Sequence, residues 1–269
     1  MTALAGVLGF PVAHSRSPAM HNAAFRALEL DWRYVKLPVA PELFAEAARA
    51  LPGSGFRGAN VTIPHKVAAL ELADRATEAA RGAGAANTLA FAADGAIDAD
   101  NTDAGGFLDA LGESPRGRAA LVLGAGGAAR AVAWALREQR AEVAVWNRTP
   151  ERATALALEL GVRAVPAPES AELVVNATSV GLGARGGALP NGAVAALGLE
   201  ALDAPAVVVD LVYAEAETPV AAWGRRAGAR TVDGLEVLVR QGARSFERWT
   251  GERAPLEVMR VAARSGGLD

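Results

Sequence analysis

Two hydrophobic rhythms alternate along this chain, short unbroken apolar runs and longer stretches in which apolar residues return every three or four positions. Over the first hundred residues, Leu4 to Leu8, Trp32 to Leu37 and Ala59 to Val61 read as strands, while Ser17 to Leu28, Pro41 to Leu51 and the stretch opened by Pro64 read as helices. Thr88 to Phe91 and Ile97 to Asp100 flank Asp94-Gly95, a hairpin signal, so this first sheet is expected to be mixed. From Ala119 the pattern restarts with a wholly apolar strand at Ala119 to Leu123, followed by further strands at Glu142 to Trp146, Leu173 to Val175 and Ala206 to Asp210, separated by helical stretches. Unbroken apolar strands alternating with helices predict a parallel sheet covered on both faces. The expected fold is therefore α/β, a mixed-sheet domain followed by a Rossmann-like, doubly wound parallel sheet. The first domain is expected over residues 1–102 and the second from 103, with Arg116-Gly117-Arg118 as a lead-in and Gly183 to Gly187 the most loop-like segment.

A length of 269 residues accommodates two such cores. The net charge of -3 and the absence of any long basic run exclude a phosphate-backbone footprint, so no nucleic acid is expected as partner. With no cysteine, disulfides, zinc-thiolate sites and thiol nucleophiles are ruled out. His14, His21 and His65 have no metal-ligand spacing, and no metal is expected; His65 reads as an exposed residue at a helix start. The first residues carry no basic, then apolar, leader pattern, and no run of 18 uncharged apolar residues occurs, which predicts a cytoplasmic chain without membrane attachment. Of the 27 basic residues only Lys36 and Lys66 are lysine, a hint that an amine is needed at one of them.

The most specific chemical signal is Gly124-Ala125-Gly126-Gly127-Ala128-Ala129, lying between a predicted strand and a predicted helix. Gly124 suits a tight turn, Gly126 lets a pyrophosphate approach the backbone, and Ala129 permits close helix–sheet contact. Where an NAD enzyme places an acidic residue after the next strand, this chain has Asn147-Arg148-Thr149-Pro150-Glu151-Arg152, a setting that favours a 2′-phosphate. In the first domain Ser17 reads as a helix N-cap with Pro18 at the first helical position, and Ser15 adds a second hydroxyl at the same helix end. Pro64 reads as opening another helix with Lys66 in its first turn, where the helix dipole disfavours a cation and so suits acid–base exchange. Asn87-Thr88 before one strand and Asn101-Thr102-Asp103 after its hairpin partner put amides, hydroxyls and a carboxylate at strand ends.

Taken in order, Ser-x-Ser-Pro, Asn-Val-Thr-Ile-Pro-x-Lys, Ala-Asn-Thr, Asn-Thr-Asp, Gly-Ala-Gly-Gly-Ala, Asn-Arg-Thr, Asn-Ala-Thr and Asp-Gly-Leu with a following Gln resemble the shikimate dehydrogenase family over nearly the whole chain. The resemblance implies NADP-dependent interconversion of 3-dehydroshikimate and shikimate, small-molecule ligands only, and a monomer or homodimer. It implies Lys66 and Asp103 as the catalytic pair, with Ser15, Ser17, Thr62, Asn87, Asp103, Tyr213 and Gln241 facing substrate. Gly124, Ala125, Gly126, Gly127, Ala128, Asn147, Arg148, Thr149, Arg152, Leu211 and Gly234 would face NADP, together with Glu78. It also implies that the second domain spans residues 103–237 and that residues 238–269 return to complete the first domain. Ala99 and Ala86 depart from the family's usual Gly and Val, which bears on local backbone shape rather than on the chemistry. Two other readings compete, a quinate enzyme using NAD and a non-catalytic NADP or shikimate sensor.

Overall fold

The computed structural model describes residues 2–181, 192–214 and 216–266. The Gly183 to Gly187 segment lies outside them. The chain divides into two compact units, Met1–Gly106 with Leu238–Asp269, and Phe107–Val237. The first division falls after Gly106 where the sequence pattern places it after Thr102, and the chain re-enters the first unit at Leu238.

The first unit runs β1 (Ala3–Gly9), α1 (Ser17–Ala27), β2 (Trp32–Pro38), α2 (Phe44–Ala50), β3 (Phe56–Val61), α3 (Lys66–Glu71), β4 (Arg75–Ala76), α4 (Glu78–Ala83), β5 (Thr88–Phe91), β6 (Ile97–Asp100) and the start of α5 (Thr102–Leu111). Its sheet has the order β2-β1-β3-β5-β6-β4. β1 pairs in parallel with β2 and β3, while β5 runs antiparallel to both β3 and β6. The mixed sheet predicted from the Asp94-Gly95 turn is thus present. Leu8, Ala59, Val61, Leu89 and Ala99 are buried in one core cluster over this sheet. Pro41–Leu43 forms a separate 3-10 turn before α2, so the single helix expected over Pro41 to Leu51 is divided.

The second unit continues with β7 (Ala119–Leu123), α6 (Gly127–Glu138), β8 (Glu142–Trp146), α7 (Pro150–Leu160), β9 (Arg163–Ala164), β10 (Leu173–Asn176), α8 (Ala193–Ala196), β11 (Val207–Asp210), α9 (Pro219–Arg226), β12 (Arg230–Val232) and the first turn of α10 (Gly234–Thr250). All its pairings are parallel, in the order β12-β11-β10-β7-β8-β9. The strand order reverses between β7 and β10, the switch point at which doubly wound sheets gather ligands beyond the carboxyl ends of their strands. β10 and β11 are buried along their whole length, which is why each reads as a short apolar run, closed at its carboxyl end by Asn176 and by Asp210. The remainder of α10 and α11 (Leu256–Ser265) belong to the first unit.

Two local expectations are corrected, and three strands are added. Arg16, not Ser17, is the cap residue of α1 and makes no capping bond through its side chain; Ser17 is the first helical residue. Pro64 lies in a turn, and α3 starts at Lys66 itself. β4, β9 and β12, at two or three residues each, are too short to leave a periodic signature, and they extend both sheets to six strands. Among the described residues no helix is long and apolar enough to cross a membrane.

Candidate functional site

Lys66 opens α3 and Asp103 sits in the first turn of α5, and their side chains meet with Nζ 2.6 Å from Oδ2. Side-chain exposures of 12% for Lys66 and 19% for Asp103 leave the pair reachable yet largely withdrawn from water. A charge-assisted bond in such surroundings is stronger than one at an open surface.

Asn87, just ahead of β5, sets the other edge of the carboxylate. Its side-chain carbonyl accepts the backbone N–H of Thr102 at 2.7 Å and faces the hydroxyls of Thr88 and Thr102 at 3.1 Å. The amide nitrogen is therefore turned outward, donating to Asp103 Oδ1 at 2.8 Å and to Gln241 Oε1 at 3.1 Å. Gln241 arrives on α10 and uses its own amide nitrogen toward the Leu238 carbonyl at 3.0 Å. This close approach depends on Gly106 of α5, where a Cβ would stand 2.5 Å from the Gln241 backbone nitrogen. Lys66, Asp103, Asn87 and Gln241 thus form one hydrogen-bonded array drawn from four separate stretches of sequence.

Behind the array lies a buried polar layer that the sequence does not disclose as a unit. Asn60 on β3 donates to the Asn87 backbone carbonyl, Thr88 Oγ1 and Ser245 Oγ at 3.2, 3.1 and 2.8 Å. Its amide is oriented by the Tyr34 hydroxyl, which donates to Asn60 Oδ1 at 2.8 Å. Motifs miss Tyr34 and Ser245 because nothing local marks a β2 tyrosine or an α10 serine as polar partners. Tyr34 also stacks on His21 with ring centroids 4.4 Å apart. His21 is wholly buried, and among the described residues neither of its ring nitrogens has a hydrogen-bond partner; burial lowers its pKa to about 3.

Ser15 and Ser17 lie together at the start of α1, with the Ser17 backbone N–H 3.3 Å from Ser15 Oγ, so the two hydroxyls share one helix end. Thr62, half-buried directly after β3, is held by its backbone N–H to the Leu8 carbonyl at 2.9 Å. Among the described residues these three share no hydrogen bond with the Lys66 array. Nor does Glu78, which is exposed in the first turn of α4. Lys36, the second of the two lysines, donates to the Ala13 carbonyl at 2.6 Å and stands apart from the array. His65 is not exposed as expected: it is buried, stacked on Phe44 with centroids 4.5 Å apart, with Nε2 2.8 Å from the Val39 carbonyl.

In the second unit the glycine turn follows β7 as its spacing predicts. Gly124 has φ +115°, and a Cβ there would lie 2.8 Å from the Ala177 carbonyl oxygen, so glycine is required on both counts. Ala125 leads to Gly126, the N-cap of α6, where the Cβ position opens onto free space; Gly127 and Ala128 begin the helix. That opening at a helix N-terminus fits a pyrophosphate approaching the backbone. Beyond β8, Asn147 donates to the Thr149 carbonyl at 2.9 Å, and Arg148, Thr149 and Arg152 are exposed, with no acidic side chain bonded to either guanidinium among the described residues. Two such cations suit a phosphorylated ribose. Leu211 and Tyr213 follow β11, both half-buried, and Gly234 is pressed against this stretch, a Cβ there lying 2.6 Å from the Val212 carbonyl oxygen and 2.7 Å from that of Leu211. Among the described residues no group of acidic and histidine side chains is arranged to hold a metal ion.

Comparison with known proteins bears on this arrangement directly. Three family models match in chain order: "Shikimate dehydrogenase substrate binding domain" over residues 7–89, "Shikimate / quinate 5-dehydrogenase" over residues 110–211, and "Shikimate 5'-dehydrogenase C-terminal domain" over residues 234–264. The NADP(+) shikimate dehydrogenase of Acidiphilium cryptum (strain JF-5) is 45% identical over 92% of this chain and 90% of its own length. The chain belongs to the shikimate dehydrogenase family. The NADP(+) shikimate dehydrogenase of Methanocella arvoryzae is 43% identical over 98% of this chain and 99% of its own. The solved shikimate 5-dehydrogenase of Thermus thermophilus, in complex with NADP(H) and shikimate, superimposes with a TM-score of 0.86 at 42% identity, covering 98% of this chain and all of that one.

Proposed function

We propose that this chain catalyses the reversible NADPH-dependent reduction of 3-dehydroshikimate to shikimate, the oxidation of a ring CH–OH in the reverse direction. The observation that carries the reading is the Lys66–Asp103–Asn87–Gln241 array, an amine beside a carboxylate with two amides. Such a set can bind vicinal hydroxyls and exchange one proton. When bound, NADP supplies or accepts the hydride at the reacting carbon. Lys66 Nζ donates the proton to the carbonyl oxygen during reduction and takes the hydroxyl proton back during oxidation. Asp103, held by Asn87 on one oxygen and Lys66 on the other, keeps the amine in place and accepts from a neighbouring substrate hydroxyl. The Gln241 amide contributes to the hydroxyl face, and the Ser15 and Ser17 hydroxyls take the substrate carboxylate, with Thr62 beside them.

The cofactor assignment rests on Gly126 and on Arg148, Thr149 and Arg152, and Tyr213 is placed on the substrate side of the reaction. Cytoplasmic location and a monomeric or homodimeric state belong to the same proposal. A spectrophotometric assay of shikimate oxidation with NADP+ and, separately, NAD+ tests it. Reduction of NADP+ well in excess of NAD+ is the expected result; preference for NAD+, no turnover with either, or, in a parallel assay, turnover of quinate in preference to shikimate would refute it.

A further inference from the structure

Asp210 is a fully buried carboxylate that the reaction itself does not use. It ends β11, and among the described residues every group bonded to it is neutral: the Val212 backbone N–H at 3.0 Å, the Asn176 amide at 2.8 Å and the Thr218 hydroxyl at 2.5 Å. Burial pushes its carboxyl up to about 6, against the opposing pull of those three donors. An unpaired charge in such a place disfavours folding, which makes its presence at this point informative.

Each of the three bonds reaches a different segment at the carboxyl edge of the parallel sheet. Through Asn176, whose Oδ1 also accepts the Thr178 backbone N–H at 3.1 Å and faces the Thr178 hydroxyl at 2.7 Å, the carboxylate braces the turn that follows β10. That turn supplies the Ala177 carbonyl lying against Gly124, and the Ala177 N–H returns to the Leu123 carbonyl at 2.8 Å. Through Val212 it fixes the stretch whose carbonyls are covered by Gly234, and the Leu211 N–H is tied to the Asn176 carbonyl at 2.9 Å. Through Thr218, which also caps α9, it anchors the far side of the same loop. One side chain therefore joins the surroundings of the glycine turn to the Leu211–Gly234 contact.

We propose that Asp210 is a positioning residue for the dinucleotide, holding the turn after β10 and the Leu211–Val212 backbone in the register that NADP binding requires. This rests on the proposed placement of the cofactor on the second unit. The charge is what makes the brace tight, since charge-assisted acceptors hold their donors more strongly than neutral ones.

The test is direct binding of NADP+ by calorimetry to the wild-type chain, Asp210→Ala and Asp210→Asn, together with melting temperatures and steady-state kinetics. Asp210→Ala removes all the acceptors and is expected to raise the NADP+ Kd tenfold or more, with kcat at saturating NADP+ and the KM for shikimate changing less than twofold. Asp210→Asn keeps the shape and removes the buried charge. It is expected to melt at or above the wild-type temperature and still to bind NADP+ several-fold more weakly, a divergence that a merely structural carboxylate would not produce. If Asp210→Ala does not fold, Asp210→Asn decides alone. Wild-type Kd for NADP+ in a folded variant overturns the proposal, as does a parallel loss of kcat and shikimate affinity. Failure of the wild-type chain itself to bind NADP+ overturns the cofactor placement on which it rests.

Discussion

The Asn87 amide nitrogen lies 2.8 Å from Asp103 Oδ1, which leaves Oδ2 facing the Lys66 ammonium at 2.6 Å. The Asn87 amide is itself locked by the Thr102 backbone N–H, so the carboxylate cannot rotate without breaking a bond at each end. The array is held together by the chain's own hydrogen bonds, and orientation of the amine is built into the fold.

From this follows the first prediction. Lys66→Ala should lower kcat for shikimate oxidation by about 10² to 10⁴-fold, the usual contribution of a general acid–base group, with NADP+ affinity little changed. Lys66→Arg should recover little of the loss, because the guanidinium stays charged and its planar fork cannot take the place of a single amine. Steady-state kinetics on folded variants check it; a loss confined to KM would make Lys66 a binding residue only.

Much of this is legible in the sequence, and the reasons are local. The β7–Gly124–α6 passage announces itself because strand period, glycine spacing and helix period all fall within a short window. Lys66 and Asp103 can be nominated one by one from their flanking motifs, but no spacing rule says that residues 37 positions apart will stand 2.6 Å apart. His65 defeats the local pattern because a helix-start histidine is usually solvated, whereas here Phe44 and the Val39 carbonyl enclose it. Tyr34 and Ser245 join Asn60 only through the stacking of β2, β3 and α10, a tertiary fact without a local trace.

Ser15 and Ser17 give the second prediction. Ser17 is not the cap residue of α1, and Ser15 Oγ accepts one long bond of 3.3 Å, so replacing both by Ala should leave the melting temperature near that of the wild type. The KM for shikimate should rise on the order of tenfold to a hundredfold through loss of two bonds to a carboxylate, with NADP+ affinity unaltered. A fall in stability without a change in KM would assign the serines to the helix rather than to the substrate.

Cofactor choice gives the third. Arg148 is exposed and, among the described residues, bonded to no acidic side chain, which leaves its guanidinium able to meet a 2′-phosphate. Arg148→Ala should weaken NADP+ binding by about tenfold and leave NAD+ binding nearly as it was, because only one of the two carries the phosphate. Titration of both cofactors against both chains decides, and equal losses would count against the assignment.

The last prediction concerns acid stability and His21. Its folded pKa of about 3 lies below the ordinary value of 6.5, so the unfolded chain takes up a proton first as the pH falls. The full stability is therefore present above about pH 6.5 and is lost progressively from there down toward pH 3, at no more than about 1.4 kcal/mol per pH unit. Asp210 acts in the opposite sense: raised from 3.8 to about 6, it binds its proton first in the folded state and offsets the loss between those two values. His21→Phe keeps the stack on Tyr34 and removes two buried ring nitrogens that have no partners among the described residues. Relative to the wild type, this variant should gain stability as the pH is lowered from 8 to 5, by on the order of 2 kcal/mol. Urea unfolding at pH 8, 6.5 and 5 measures that difference, and a constant gap between the two chains across the series would show that His21 does not titrate as a buried neutral group.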